Sequence, residues 1–282
     1  MSISKSDFEY ISQLARSEAA IVLEPGKEYL VETRLGPLAQ KEGFASLAAL
    51  IHQMRGAVKV NGLHHKAVHA LTTNETLFFR DYHPFEALRR SIIPALLEQR
   101  ASVRRLTIWS AACSTGQEPY TLAMLLLEHF PQLADWTVSI LATDLSPTVL
   151  KLAQAGSYSQ FEVNRGLPAS YLVKYFTKVG EKWNVKDEVK RRVEFRSMNL
   201  IQPWPLMPAL DLVLIRNVMI YFDVETKKAI LRRVRDCLQP QGYLLLGTAE
   251  TTTNLDPAYQ PVTFGKAVVY RVPGDQSIHS PA

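Results

Sequence analysis

Residues 104–120 read RRLTIWSAACSTGQEPY, and this stretch decides the fold. Leu106–Ala111 is a short β-rich run, and Gln117–Phe130 after it is apolar at helical length. Between them lies a turn of small residues, Ala112-Cys113-Ser114-Thr115-Gly116. Working outward, Val138–Leu145 reads as a second strand, and Pro147–Gln154 as a helix with Ser146 as its N-cap. Asp211–Ile215 is a third strand, Val224–Leu238 a helix, Gln239–Gly242 a turn and Tyr243–Gly247 a further strand. Val262–Phe264 and Ala267–Val272 suit a hairpin at a sheet edge. Alternation of this kind predicts a mostly parallel sheet with helices on both faces.

Upstream the pattern is helical. Phe8, Ile11, Ala15, Ala19 and Val22 share one face, and further helices are predicted over Gly26–Gln40, Ser46–Met54 and Lys59–Leu71. The expected domains are a helical 1–72, a linker with connecting helix over 73–103, and an α/β domain over 104–275. Residues 158–196 break the rhythm. Tyr171–Val179 alternates weakly and Val193–Phe195 is strand-like, so a small β subdomain is predicted there.

Composition excludes several classes. With 47% apolar and 21% charged residues over 282, the chain can build a substantial core and is not disordered. The apolar run Thr121–Leu127 is far shorter than the roughly 20 residues of a membrane span. MSISKSDFEY lacks a signal-peptide core, so a cytoplasmic protein without membrane insertion is expected. Cys113 and Cys237 cannot form a disulfide framework. His65 and His69, spaced i and i+4, have no completing ligands in the sequence, and no metal is expected. The net charge of +5 permits an acidic partner without naming one.

In an open parallel sheet, ligands bind beyond the carboxyl ends of the strands. Three loops therefore matter. The first is neither GxGxxG nor a Walker A loop, which disfavours dinucleotides and nucleoside triphosphates. Its small residues let a ligand approach the backbone, and the following helix start offers N–H groups to an anion. Glu118 in that first turn either meets a ligand or complements the helix dipole. The second loop ends a strand with Asp144, an acid that accepts ribose hydroxyls or caps the next helix. The third, Arg216-Asn217-Val218-Met219-Ile220-Tyr221, sets polar groups directly after a core strand.

The run TNETLFFR at 73–80, AACSTGQEPY at 111–120, ATDLS at 142–146, NL at 199–200 and RNVMIYF at 216–222 together resemble the chemotaxis receptor methyltransferases, the CheR family. The resemblance spans nearly the whole chain. It implies a Rossmann-like S-adenosylmethionine-dependent methyltransferase sheet, with a small helical N-terminal domain and a small β insertion. Carried onto matching positions, Asn74, Thr76 and Arg80 would contact the cofactor, and Glu118 its amino-acid part. Asp144 would meet the ribose, Asn199 and Leu200 would lie near the adenine, and Arg216 and Asn217 would close the site. Arg80 and Tyr221 are the candidates for holding a glutamate acceptor.

The implied partner is the helical cytoplasmic region of a chemotaxis receptor. Lys27, Arg34 and Lys41 recur every seven residues on the second predicted helix, and the family docks its substrate on a basic N-terminal helix. In some members the β insertion binds a tethering pentapeptide by strand addition. Here TKVGEKWNVK after Phe176 is short and lacks the glycine-rich pair of those members, so a peptide-independent monomer is expected. Two rival readings are a nucleic-acid methyltransferase and a non-catalytic S-adenosylmethionine-binding domain. The amino-methylating nucleic-acid enzymes carry an Asn-Pro-Pro-Tyr-like loop where this chain has Arg216-Asn217-Val218-Met219, so nucleic acid is not expected. Arg80 and Tyr221, both present, argue against a purely sensing domain.

Overall fold

The computed structural model describes residues 3–273. The chain forms two compact units. One runs to Thr73 and includes Asn199–Gln202 and Tyr221–Thr226; the other holds Asn74–Met198, Pro203–Ile220 and the chain from Lys227 onward.

In the first unit, α1 (Lys5–Ala19) is capped by the Ser4 hydroxyl, which accepts from Asp7 N–H. It buries Phe8, Ile11, Leu14, Ala15 and Ala19. Val22 does not continue that face. Ala20 takes a left-handed φ of 52° and ends the helix, and Val22 is 42% exposed. The second helix, α2 (Glu28–Lys41), starts two residues later than the sequence suggested, because Gly26 adopts a φ of 91° that no helix accommodates. α3 (Leu47–Arg55) and α4 (Gly62–Leu71) begin after their caps Ser46 and Asn61, the latter in a capping box with His64.

The second unit opens with α5 (His83–Ala87), a π turn over Leu88–Ile92 and α6 (Ile93–Gln99). The strands are β1 (Arg105–Ala111), β2 (Thr137–Asp144), β3 (Ser157–Ser159), β4 (Phe176–Val179), β5 (Lys182–Val185) and β6 (Val193–Ser197). β7 (Leu210–Ile215), β8 (Leu238–Leu246), β9 (Gln260–Phe264) and β10 (Ala267–Arg271) complete them. The main sheet has the order β6-β2-β1-β7-β8-β10-β9. Pairing is parallel from β6 to β8 and antiparallel through β10 and β9, so the expected hairpin does lie at the edge. Every residue of β7 is buried, as a central strand covered on both faces requires. The helices α7 (Gln117–His129), α8 (Pro147–Ala155) and α12 (Val224–Cys237) alternate with the strands.

Three sequence expectations need correction. Val193–Phe195 does not belong to the β insertion: it is β6, paired in parallel with β2 from Ile140↔Val193 to Asp144↔Ser197. Tyr171–Val179 is not a continuous strand either. Residues up to Tyr175 form α10 (Ala169–Tyr175), started at Pro168, and only Phe176–Val179 is extended. The inserted sheet is thus β3-β5-β4, with α9 (Gln160–Asn164) and α11 (Asp187–Lys190) beside it in sequence. Third, the turn before Tyr243 is a register shift inside β8. Leu238 pairs with Leu210, Tyr243 with Leu212, and Gln241 takes the positive φ of 65° that the excursion needs. Residues 274 and 275 of the expected domain lie outside the described residues.

Candidate active site

β1 ends at Ala111, and the chain must then turn sharply to start α7. It does so by alternating left-handed residues, Ala112 (φ 53°), Ser114 (φ 51°) and Gly116 (φ 94°). The turn takes up its own N–H groups: Cys113 donates to Thr143 O at 2.9 Å, Ser114 to Asp144 Oδ2 at 2.9 Å and Gly116 to Cys113 O at 3.0 Å, so N–H groups for an anion are left at the start of α7. Gly116 is required on two counts. Its φ disfavours any side chain, and a Cβ there would meet Ala153 Cβ at 3.0 Å and the Tyr158 hydroxyl at 3.2 Å. The Tyr158 hydroxyl donates to Thr115 O at 2.7 Å, and Tyr120 donates to Ala153 O at 2.8 Å. Two buried tyrosines therefore lock the turn onto α8. No side chain caps the start of α7.

Asp144 closes β2 beside this turn and is 7% exposed. Its Oδ2 accepts from Ser114 N–H at 2.9 Å and its Oδ1 from Ser146 N–H at 2.9 Å. Ser146 does stand at the N-cap of α8, but its hydroxyl makes no cap bond, and Asp144 holds the residue by its N–H. Burial pushes the Asp144 carboxyl above its ordinary value, while N–H bonds from Ser146, Ser114 and Leu145 pull it back. Three such bonds use part of a carboxylate's roughly four acceptor positions and leave room for a hydroxyl donor.

Arg216 follows β7 and is 6% exposed. One guanidinium nitrogen donates to Glu118 Oε2 at 2.9 Å; the other donates to Asp81 Oδ2 and to Arg80 O, both at 2.8 Å. The guanidinium also stacks over Phe85 at 5.4 Å. The second carboxylate oxygen of Glu118 accepts from the Ser110 hydroxyl at 2.8 Å. A buried arginine with two acids is a rigid clamp, and removing one partner of such a set is strongly destabilising. It holds the segment Phe79–Tyr82, in which Phe79, Asp81 and Tyr82 all have positive φ. Asn74 is held to the first loop through its backbone, since the Ser114 hydroxyl donates to Asn74 O at 2.8 Å. Thr76 is half-buried in the same segment. Arg80 itself donates to Glu75 O at 2.9 Å and forms no ion pair among the described residues.

The structure thus gathers Asn74, Arg80, Glu118, Asp144, Arg216 and Asn217 in one unit, around the carboxyl ends of β1, β2 and β7. Asn199, Leu200 and Tyr221 group with the helical unit. There the Asn199 amide is engaged at both ends, donating to Glu18 O at 2.7 Å and accepting from Ile201 N–H at 3.1 Å. Tyr221 O accepts from Val22 N–H at 3.2 Å. Lys27 lies one residue before α2, so only Arg34 and Lys41 of the basic stripe are on that helix. Lys27 and Lys41 are exposed, but Arg34 is committed to Leu71 O and to the Thr73 hydroxyl.

Sequence reading missed Asp81 and Glu250. Asp81 was legible as an acid next to the TNETLFFR run. Glu250 carried no signal beyond being an acid after the last parallel strand, yet its carboxylate accepts from Gly247, Asn217, Val218, Met219 and Ile220 N–H groups. Cys113 is no nucleophile: burial first, then Asp144 and Glu118, push its thiol well above the usual value.

S-adenosylmethionine asks of such a site an acceptor for ribose hydroxyls, an acid for an ammonium and N–H groups for a carboxylate. Asp144 and Glu118 offer acceptors of that kind, and the start of α7, which no side chain caps, offers N–H donors. Two buried polar atoms at the same edge, Arg216 Nε and Asn217 Oδ1, have no partner in the protein and add capacity for a ligand. The residues fit the group.

Comparison with known proteins agrees. Residues 74–268 match a family model described as the S-adenosylmethionine-binding domain of CheR methyltransferases, and residues 6–72 match the all-alpha domain of the same proteins. Fold and site thus define an S-adenosylmethionine-dependent methyltransferase. Chemotaxis protein methyltransferase 1 of Pseudomonas aeruginosa is 41% identical over 96% of this chain and 99% of its own length. Chemotaxis protein methyltransferase Cher2 of Pseudomonas putida is 39% identical over the same shares. The chain belongs to the CheR methyltransferase family. Among solved structures it is similar to a TehB-like methyltransferase of Corynebacterium glutamicum, 13% identical over 68% of this chain and 95% of that one, with a TM-score of 0.37.

Proposed function

We propose that this protein methylates glutamate side chains in the cytoplasmic helical region of chemotaxis receptors, yielding glutamate methyl esters. The observation that carries this reading is the contrast between two arginines. Arg216 is buried and neutralised by Asp81 and Glu118, whereas Arg80 donates to the Glu75 carbonyl, lies within electrostatic reach of the Glu75 carboxylate and makes no ion pair among the described residues. A guanidinium outside any ion pair of the described residues suits a carboxylate acceptor, which it can grip in a two-pronged, charge-assisted geometry. The names of the relatives point to the same biology.

Bound S-adenosylmethionine supplies a methyl group on a positively charged sulfur, a leaving group that needs no activation. A glutamate acceptor is anionic at neutral pH, with an ordinary pKa of about 4.3, so no general base is needed. What remains for the protein is placement of one carboxylate oxygen in line with the methyl carbon. Such placement accounts for about 7–11 kcal/mol of barrier lowering in well-oriented reactions. Arg80 performs it in this reading. The Arg216 clamp keeps the backbone of the Arg80 segment fixed while it does so.

Receptor docking falls to Lys27 and Lys41, with Arg34 bracing α2 from within its own unit. The β4–β5 connection is a two-residue turn, Gly180–Glu181, with Gly180 at φ 59°. This short turn supports an enzyme that works without a tethering peptide. The test is transfer of labelled methyl from S-adenosylmethionine to receptor-containing membranes. Base-labile label on receptor glutamates, lost in Arg80→Ala, supports the proposal. Base-stable label, or label on RNA in place of receptor, overturns it.

A further inference from the structure

Five backbone N–H groups converge on the carboxylate of Glu250. Oε2 accepts from Gly247 at 2.7 Å and from Asn217 at 2.8 Å. Oε1 accepts from Val218 at 2.9 Å, Met219 at 2.7 Å and Ile220 at 3.3 Å. A carboxylate offers about four lone-pair positions, so this one is saturated and has nothing left for a ligand. It is neither a candidate base nor a candidate cofactor contact. Its role must be exerted through what it holds.

What it holds is the turn after β7. Four consecutive N–H groups, Asn217 to Ile220, face one acid, and Asn217 takes a left-handed φ of 60° to allow this. Without a buried acceptor, those N–H groups would be orphaned together. The turn carries Arg216 and Asn217, whose Nε and Oδ1 are the two unpartnered buried atoms of the strand edge. Gly247 closes the cradle from the other side. A Cβ there would meet Glu250 Oε2 at 2.7 Å, Asn217 Nδ2 at 2.8 Å and Asn217 N at 2.9 Å. The Asn217 amide therefore packs directly on the Gly247 backbone, and its direction depends on Glu250 and Gly247 together.

We infer that Glu250 is a positioning residue for cofactor binding: its carboxylate, seated against Gly247, fixes the turn that presents Arg216 and Asn217 to S-adenosylmethionine. The inference rests on the strand-edge cofactor site and is independent of which acceptor is methylated. Glutamine at 250 keeps the shape but places an NH2 group against backbone N–H donors. The turn would then reorganise without a change in side-chain volume. Alanine at Gly247 displaces the same turn from the opposite side.

The experiment is titration of S-adenosylhomocysteine into the wild type, Glu250→Gln, Gly247→Ala, Asn217→Ala and the Glu250→Gln/Asn217→Ala double variant. Circular dichroism and thermal melting accompany each titration. We expect Glu250→Gln and Gly247→Ala to melt cooperatively and to bind at least tenfold more weakly. In the Asn217→Ala background, Glu250→Gln should weaken binding by less than threefold, because residues acting through one turn do not add. Two results would overturn the inference: folded variants that bind like the wild type, or single-variant losses that multiply fully in the double variant. If Glu250→Gln does not fold, Gly247→Ala, Asn217→Ala and their double variant decide by the same criteria. Since the readout is binding and not transfer, an acceptor other than receptor glutamate leaves this test intact.

Discussion

The β2 end and the β8 end of the strand edge each seat a carboxylate among backbone N–H groups, yet the two do different work. Asp144 takes N–H bonds from Ser114, Leu145 and Ser146 and keeps acceptor capacity. Glu250 takes five and keeps none. Counting acceptors separates a carboxylate with capacity left for a ligand from one consumed by the loop beside it. The same count separates the arginines. The terminal nitrogens of Arg216 go to Asp81, Glu118 and a carbonyl, with Nε left over, while Arg80 gives one N–H to a carbonyl and forms no ion pair among the described residues.

The sharpest way to break the arginine contrast is Arg80→Ala. Loss of a charge-assisted donor aimed at the reacting groups lowers turnover about a hundredfold or more, and methyl transfer measured at saturating cofactor checks it. An unchanged rate would make Arg80 a structural residue. Next in size is Asp144→Ala. Losing a charged acceptor for ribose hydroxyls weakens S-adenosylhomocysteine binding by about 1.5–3 kcal/mol, or roughly tenfold to a hundredfold, read by calorimetric titration. Since it also frees the N–H groups of Ser114 and Ser146, the variant's fold must be confirmed alongside.

A smaller effect is expected at the turn that Asp144 supports. Gly116→Ala meets both a left-handed φ and a contact at 3.0 Å with Ala153, and should lose about 1–3 kcal/mol of stability in urea unfolding. Glu128→Gln should be milder still, under about 1 kcal/mol, since it loosens α10 from the end of α7 at a partly exposed site. There Lys174 Nζ at 2.7 Å and the Tyr175 hydroxyl at 2.6 Å both donate to Glu128 Oε2 and hold its carboxyl below the ordinary 4.5. A carboxyl lowered on folding stabilises the protein above its unfolded value and loses that contribution as pH falls through the folded one. The gap between wild type and Glu128→Gln should therefore close below about pH 4.5 in acid-unfolding curves.

How far the sequence could be read follows from the same physics. The strands LTIWSA and DLVLI and the apolar helix after the first loop announce themselves, because burial on both faces demands unbroken apolar runs. Asp144 was legible because it interrupts such a run at its last position. β6 was not. It lies at a sheet edge with Glu194 and Arg196 facing solvent, so it reads like a strand of the neighbouring insertion. The short helix ending at Tyr175 gave too few turns for its period to show. Arg34 matched Lys27 and Lys41 in spacing, but spacing does not reveal a side chain bonded to Leu71 O and Thr73. Glu250 was invisible for another reason. Four of its five partners are backbone N–H groups 30 to 33 residues earlier in the chain, and main-chain donors leave no mark on a sequence.

The most direct test of the strand-edge site is amide hydrogen exchange with and without S-adenosylhomocysteine. The account expects added protection in residues 112–118, 144–147 and 216–220, the three loops beyond β1, β2 and β7. Unchanged exchange in all three at saturating ligand, with protection elsewhere, would contradict it.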